Sequence, residues 1–348
     1  MTVKIEHGPE KINRETFSTG QVSAMHTIHL TGGVRAAGSA AGWSVTPVRH
    51  GMQTGSIRPV PRTTLDKIAQ EAGLRIIGGD QTTDFDTPLP SRIWQPLYGQ
   101  EAGRQSAADE WGAISTAARR AGDIRVADLA RSISITLKAA GIRIRDASDC
   151  YNRQLMGALH AGKKVGARFK NVPLADLYLA FHSLLTEMAS ARDYLSAFAG
   201  HRVGAPIGKD SLARLKDWVS APGRAAEAAD PLVATLLGAS GAGATNGWLK
   251  KLGDYRNMFL HRKPMEMASG AFLVLKETAV QHFSVPTIEL AIPVAEGSSQ
   301  VVDALTGFIE LNENLLKLAA FAADHADYST TPPAFVVSRS NVAATVQD

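Results

Sequence analysis

Two long runs of apolar residues at three- and four-residue spacing constrain this chain most. Leu174, Leu177, Phe181, Leu184, Leu185, Met188, Leu195 and Phe198 form the first run. Val301, Leu305, Phe308, Ile309, Leu315, Leu316 and Ala319 form the second. That spacing gathers each set on one face of an α-helix. Such stripes need partners, and packing helix against helix provides them most economically. Pro173 should open the first helix, which ends near Gly200, and Ser299 should open the second. Shorter helices are expected between them at 211–219, 230–237 and 247–261. Asp230 is suited to cap the second of these with Pro231 at its first position. Asn246 is placed to cap the third, and Pro264 to stop it.

Upstream, 106–121, 126–140 and 146–161 read as three helices parted by Gly122-Asp123 and by Gly141. The high alanine content and only 6% aromatic residues agree with helix. A short helix is expected over 64–73, with Thr64 as its cap. Strand signals are fewer: 22–30 near the start, and 272–276 with 287–292 as a hairpin or strand pair. The segment 31–42 is rich in Gly and Ala. Its Gly32-Gly33 lacks the G-K-[ST] ending of a phosphate loop, so it reads as a flexible loop. Residues 78–96, with Pro88, Pro90 and Pro96, also read as loop, and basic 162–170 as a linker or exposed loop. The fold expected is mainly α. A C-terminal helical bundle with a small β-hairpin insertion follows a mixed, mostly helical N-terminal domain. The divisions are 1–63 (irregular or β), 64–171 (basic, helical), 172–328 (bundle) and 329–348 (disordered tail).

The charge is unevenly placed. Residues 1–171 hold 23 Lys and Arg against 15 Asp and Glu, while the rest holds 14 against 18. A basic first half points to a polyanionic partner or to a solvated basic surface. The single cysteine, Cys150, excludes an intramolecular disulfide and a Cys-rich zinc site. The first thirty residues show no apolar segment of signal-peptide type, and no uncharged apolar run is long enough to span a bilayer. A soluble, cytoplasmic protein with no membrane partner is therefore expected.

One segment carries candidate chemistry. In a helix over 247–261, Trp248, Leu252, Tyr255 and Phe259 form the core stripe. Arg256 falls at its edge, and Asn257 and His261 lie one turn apart on the far side. Leu249 and Leu260 lie beside Arg256, and apolar residues next to a polar group suggest cover by a second protein surface. In an ideal α-helix Arg256 and His261 point about 140° apart. A twofold partner would then be needed to bring Arg of one chain near His of the other.

Tyr255-Arg256-Asn257-Met258-Phe259-Leu260-His261 resembles the R-x4-6-H signature of HEPN ribonucleases. The context over 172–328 is similar too: a late bundle helix, a proline after the His and a long final helix. The resemblance implies a HEPN-like bundle and a metal-independent endoribonuclease without cofactor, plausibly a toxin or defence effector. Two motifs would meet at a homodimer dyad and cleave single-stranded RNA to a 2′,3′-cyclic phosphate and a 5′-hydroxyl. His261 would be general acid or base, Arg256 would stabilise the phosphorane, and Asn257 would orient either. Lys250, Lys251, Arg262 and Lys263 would hold the RNA backbone. An antitoxin or trigger protein is a further implied partner. The alternative is a non-catalytic dimerisation scaffold, or a nucleic-acid-binding regulator acting through the basic half. In the structural alternative Arg256 is in a surface ion pair and His261 caps the helix.

Other groupings weigh less. His26 and His29 fall on opposite faces of a strand. Asp80, Asp84 and Asp86 form an acidic turn that could take a hard cation. Glu187 and Asp193 sit on the first long helix, where an acidic helper residue is sometimes found in the HEPN family. No metal site is expected.

Overall fold

The computed structural model describes residues 25–83, 91–99, 103–241, 247–267, 272–294 and 298–331. About 54% of these are helical and 21% lie in strands. The strands form two antiparallel sheets. The first contains β1 (Met25–Leu30), β2 (Arg35–Ser39), β3 (Gly42–Thr46), β6 (Ile76–Thr83) and β7 (Ser91–Pro96), in the order β3-β2-β1-β6-β7. The second contains β4 (Val48–His50), β5 (Gln53–Gly55), β8 (Arg168–Phe169), β9 (Leu273–Val280) and β10 (Phe283–Pro293), in the order β5-β4-β10-β9-β8. β11 (Val301–Asp303) pairs with β10. The chain steps from one sheet to the other at the cis Thr46–Pro47 peptide.

The expectation of a mainly α fold with one small hairpin is thus corrected: this is a mixed α and β chain. The strands escape notice because they are short or built from small residues. β4 and β5 have three residues each and β8 two, too few for an alternating pattern to register. β2 reads Arg-Ala-Ala-Gly-Ser and lacks the β-branched side chains that mark a strand. The loop expected over 78–96 holds most of β6 and all of β7. The expected linker 162–170 holds β8, whose Arg168 and Phe169 pair with Val274 and Leu273. The short helix expected over 64–73 is α1 (Arg62–Glu71), the one α-helix before residue 100 among the described residues.

The helical layer follows the sequence more closely. α2 (Ala107–Arg120) is capped by Ser106, whose side chain accepts from the Asp109 N–H. Gly122 turns the chain at φ 82°, and Asp123 caps α3 (Ile124–His160). This one helix of 37 residues, about 55 Å long, runs straight through the break expected at Gly141. A Cβ at Gly141 would lie 3.4 Å from Pro96 Cγ and 3.7 Å from Trp94 Nε1. The glycine is there for a close approach of β7, not for a turn. α4 (Leu174–Arg202) buries all eight apolar residues of the first run. The shorter α5 (Leu212–Val219), α6 (Ala225–Ala228) and α7 (Pro231–Ala239) follow. Asp230 caps α7 by accepting from the Leu232 and Val233 N–H groups.

The last helix, α9 (Ala304–Asp324), begins later than expected because Asp303, not Ser299, is its cap. Val301 therefore sits on β11 and is 62% exposed. Asp303 is the most heavily used acceptor at this junction. It takes hydrogen bonds from Tyr151 Oη (2.8 Å), Leu290 N (3.0 Å), Thr306 N (3.0 Å) and Thr306 Oγ1 (2.9 Å). Burial nonetheless pushes its carboxyl above the usual range.

A continuous core joins these layers. Phe181 of α4 meets Phe308 of α9 edge-on at 5.0 Å, and Trp111 of α2 meets Phe198 of α4 at 4.9 Å. Each such fully buried side chain contributes about 1.5–3 kcal/mol. Gly32-Gly33, expected as a flexible loop, is instead a buried wedge. Both residues have positive φ (70° and 88°). A Cβ on Gly32 would lie 2.7 Å from Thr287 Cβ, and one on Gly33 2.8 Å from the Tyr151 carbonyl oxygen. Here β1, β10 and α3 converge. Strand pairing also crosses the expected divisions at 63/64 and 171/172, since β4 pairs with β10 and β8 with β9. Among the described residues, no helix is long and apolar enough to cross a membrane.

Candidate functional site

Arg256 and Asn257 close α8 (Trp248–Asn257), and His261 lies in the π-helical turn Met258–Arg262 that continues it. The buried side of this segment is Leu249, Leu252, Tyr255, Met258 and Phe259. The rings of Tyr255 and Phe259 stack at 5.8 Å, and Tyr255 meets Phe308 edge-on at 5.5 Å. The Tyr255 hydroxyl points its hydrogen at the carbonyl oxygens of Pro293 and Val294, each 3.0 Å away. Burial pushes this phenol up to about 12. The motif is therefore bolted to α9 and to the end of β10 by the residue that precedes it.

The polar side is open. Asn257 and His261 are exposed and Arg256 is half-buried. Arg256 Nη1 donates to Asn257 Oδ1 at 3.3 Å, and no carboxylate pairs with Arg256 among the described residues. The ion pair of the structural alternative is thus not formed by them.

Two details change the geometry expected for this segment. The first is the π-turn. Lys263 N donates to the Met258 carbonyl at 2.8 Å, five residues back. A turn closed over five residues rotates less per residue than an α-turn. His261 therefore swings back toward the Arg256 side, and the 140° divergence of an ideal helix is reduced. The second concerns the two leucines taken as a sign of a covering partner. Leu249 is fully buried and Leu260 packs against the core of this same chain. Their apolar surface is used internally, so that sign is withdrawn.

The flanking cations differ from one another. Lys250 is paired with Asp254 at 2.7 Å, one turn on. Lys251 sits over the Tyr255 ring, 5.6 Å from its centroid. Arg262 and Lys263 are exposed. Asn246, expected as the helix cap, lies outside the described residues, and Gly247 occupies the cap position. On α4, Asp193 is held by Arg192 at 2.9 Å and accepts from the Leu212 N–H at 3.4 Å. Glu187 is half-buried on the same helix. Gly253 lets α8 pass close to Arg192, whose Nη1 would be 3.0 Å from a Cβ there.

A second polar cluster lies between the first sheet and α3. His29 Nε2 is 2.9 Å from Asp80 Oδ2, and both side chains are almost wholly buried. Arg92 Nε donates to the same Asp80 oxygen at 2.7 Å, and its Nη1 donates to Asp149 Oδ2 at 2.6 Å. Arg35 Nη2 reaches Asp149 Oδ1 at 3.1 Å, while its Nη1 donates to Ser148 Oγ at 2.8 Å. Burial holds His29 below its usual value, in the neutral form. Burial alone would raise Asp80, but its bonds to His29 and Arg92 outweigh this and keep it low. Asp149 is kept low in the same way by Arg92 and Arg35. Burial brings Arg35 down to about 10.

His29, Asp80 and Asp149 offer ligand atoms within 4.8 Å of one another. Two guanidinium groups already neutralise the two carboxylates, however. A divalent cation would have to displace both. The cluster is a pin that fastens β1, β6 and β7 to α3. Asp80, read as part of an acidic turn, belongs to this pin, and Asp84 and Asp86 lie outside the described residues. His26 is exposed and His29 buried, as opposite strand faces require. Sequence reasoning missed Arg35, Arg92 and Asp149, whose only sign was ordinary charge on a surface-like pattern. Cys150 is buried, accepts from Arg153 Nη2 at 3.1 Å, and its thiol is pushed up by burial. That is the setting of an inert thiol.

No family model, curated protein or solved structure matches the chain.

Proposed function

We propose that this chain is a metal-independent endoribonuclease acting through Arg256, Asn257 and His261, with a second copy of the chain completing the site. The observation that carries this reading is the state of Arg256. It is a half-buried guanidinium beside an exposed Asn and an exposed His. Its Nη1 donates to Asn257, and no described carboxylate neutralises it. A fork of this kind suits a phosphate better than it suits the protein itself. The resemblance of the segment to the HEPN signature points the same way.

The chemistry is a transesterification. The ribose 2′-oxygen bonds to the adjacent phosphorus as the bond to the 5′-oxygen breaks. One imidazole takes the 2′-proton and another protonates the leaving 5′-oxygen. The products are a 2′,3′-cyclic phosphate and a 5′-hydroxyl. Arg256 meets the extra negative charge on the phosphorane, and Asn257 holds Arg256 in place through its amide oxygen. Two imidazoles, and a surface to exclude water from an otherwise open patch, both call for a second copy. Arg262 and Lys263 are exposed at the edge of the patch and would meet the RNA backbone. Lys250, already paired with Asp254, contributes less.

Mixing wild type with an inactive variant tests the shared site. A mixed dimer of wild type and His261→Ala holds one imidazole where the step uses two, so a several-fold excess of His261→Ala chains should suppress most of the cleavage by a fixed amount of wild type. Wild-type cleavage undiminished while mixed dimers form would contradict a site built from two chains.

A further inference from the structure

A wide cleft shares no lining residue with the Arg256 patch. It has a volume of about 1080 Å³ and lies between β7, α2, α3 and the middle of α9. Its walls are Trp94, Pro96, Leu137, Ile142 and Leu316, apolar and including one broad indole face. Two polar atoms in this lining have no partner. Asn312 is only 1% exposed; its Nδ2 donates to Tyr98 Oη at 2.9 Å, but its Oδ1 accepts nothing. Trp94 Nε1, buried beside Gly141, donates to nothing. An orphaned buried polar atom is costly, so an acceptor and a donor left open in one cleft point to a ligand that brings the complements.

The charged residues lining the cleft are basic except for Asp109. Several cations are already engaged: Arg92 with Asp80 and Asp149, Arg104 with Glu110 and Asp324, Lys138 with Asp109, and Arg145 with Asp146. Arg120 and Arg131 have no acidic partner among the described residues. They stand together where α2 turns into α3, and with Thr116 and Ser115 they also line an adjoining hollow of about 430 Å³. Arg131 precedes Gly141 by ten residues on α3, so this cationic end lies about 15 Å from the Trp94 floor.

The geometry points to a binding site for a nucleoside 5′-diphosphate or a close relative. The planar base would lie against Leu137 and Leu316, with its edge donating to Asn312 Oδ1 and accepting from Trp94 Nε1. The phosphates would reach Arg120 and Arg131. A nucleobase edge offers a donor and an acceptor side by side, and the extended nucleotide spans the distance from floor to cationic end. This inference uses no residue of the Arg256 patch, and its failure would leave that reading untouched.

Titration calorimetry on the full chain tests it with ADP, GDP, CDP and UDP, each beside its nucleoside and beside pyrophosphate. At least one diphosphate should bind saturably, and more tightly than either its nucleoside or pyrophosphate. Arg120→Glu with Arg131→Glu, both exposed and safe for folding, should weaken that binding by at least about tenfold. Thr116→Trp, on the cleft-facing side of α2, should block it while the far-ultraviolet circular dichroism stays unchanged. No diphosphate bound at millimolar concentration would overturn the proposal. So would binding unaffected by the double charge reversal, or binding no tighter than that of pyrophosphate alone.

Discussion

Single residues hold this molecule together at a few buried polar points, and two of them give direct predictions. Asp303 caps α9 and accepts four hydrogen bonds. Asp303→Ala removes the cap and leaves the Tyr151 hydroxyl proton and the Leu290 N–H without their acceptor. The expected loss is about 2–4 kcal/mol in urea unfolding. Asp303→Asn, which keeps an acceptor oxygen, should lose less. His29 makes stability depend on pH. Its folded value is below the unfolded one of 6.5, so above 6.5 neither state binds the proton. As pH falls through 6.5 the unfolded chain gains a proton that the folded chain refuses, and stability drops until the folded value is passed. His29→Gln should flatten the unfolding midpoint between pH 7 and pH 5 relative to wild type; an unchanged slope would contradict this. Residues of this kind were hard to read in the sequence. His29 and Asp80 were visible only as a possible metal ligand and part of an acidic turn. They pair with each other across β1 and β6, and Arg92 of β7 links Asp80 to Asp149 of α3.

At the scale of elements, legibility followed length. α4 and α9 were readable because seven or eight apolar residues repeated at one spacing. The hairpin of β9 and β10 was readable because Leu273–Val280 and Phe283–Pro293 are long and rich in β-branched residues. β4 and β8 were not, because their identity lies in pairing with β10 and β9, more than a hundred residues away, and the three-residue β5 is too short for a pattern to register. Gly141 shows the same limit. Glycine inside a helical pattern signals either a break or a close contact, and only the position of Pro96 and Trp94 decides between them. This yields a series of opposite signs. Gly141→Ala should be neutral or stabilising, because a Cβ at 3.4 Å is an ordinary contact and alanine favours helix by about 1 kcal/mol. Gly141→Leu should cost about 1–3 kcal/mol by forcing β7 from α3. Thermal unfolding of the two variants reads both. At the candidate site, the string Arg256-Asn257 through His261 was legible, and so was its open face. The π-turn was not, because a helical projection assumes a constant rotation per residue. Nor was the burial of Leu249 and Leu260, which depends on how α8 lies across α4 and α9.

For the molecule as a whole, the sheets tie distant parts of the chain into one unit. The stretch 172–328 looked self-sufficient in sequence, yet its α4 packs along α3, and its β9 and β10 pair with β8 and β4. A fragment of residues 172–328 should therefore lack cooperative unfolding and show little amide protection. A sharply melting fragment would contradict a single core. The basic first half, expected to meet a polyanion, spends much of its charge on ion pairs such as those of Arg35, Arg92 and Arg104. Two of its cations with no acidic partner among the described residues, Arg120 and Arg131, line the cleft between α2 and α3. The proposed ribonuclease patch, at α8, shares no residue with that cleft.

Cleavage of single-stranded RNA in the presence of EDTA is the most direct measurement of the central claim. Wild type should cleave and leave 2′,3′-cyclic phosphate ends. His261→Ala should cleave at least about 100-fold more slowly with the same unfolding midpoint, since His261 is exposed. Equal cleavage by wild type and His261→Ala, or no cleavage by wild type, would contradict the account.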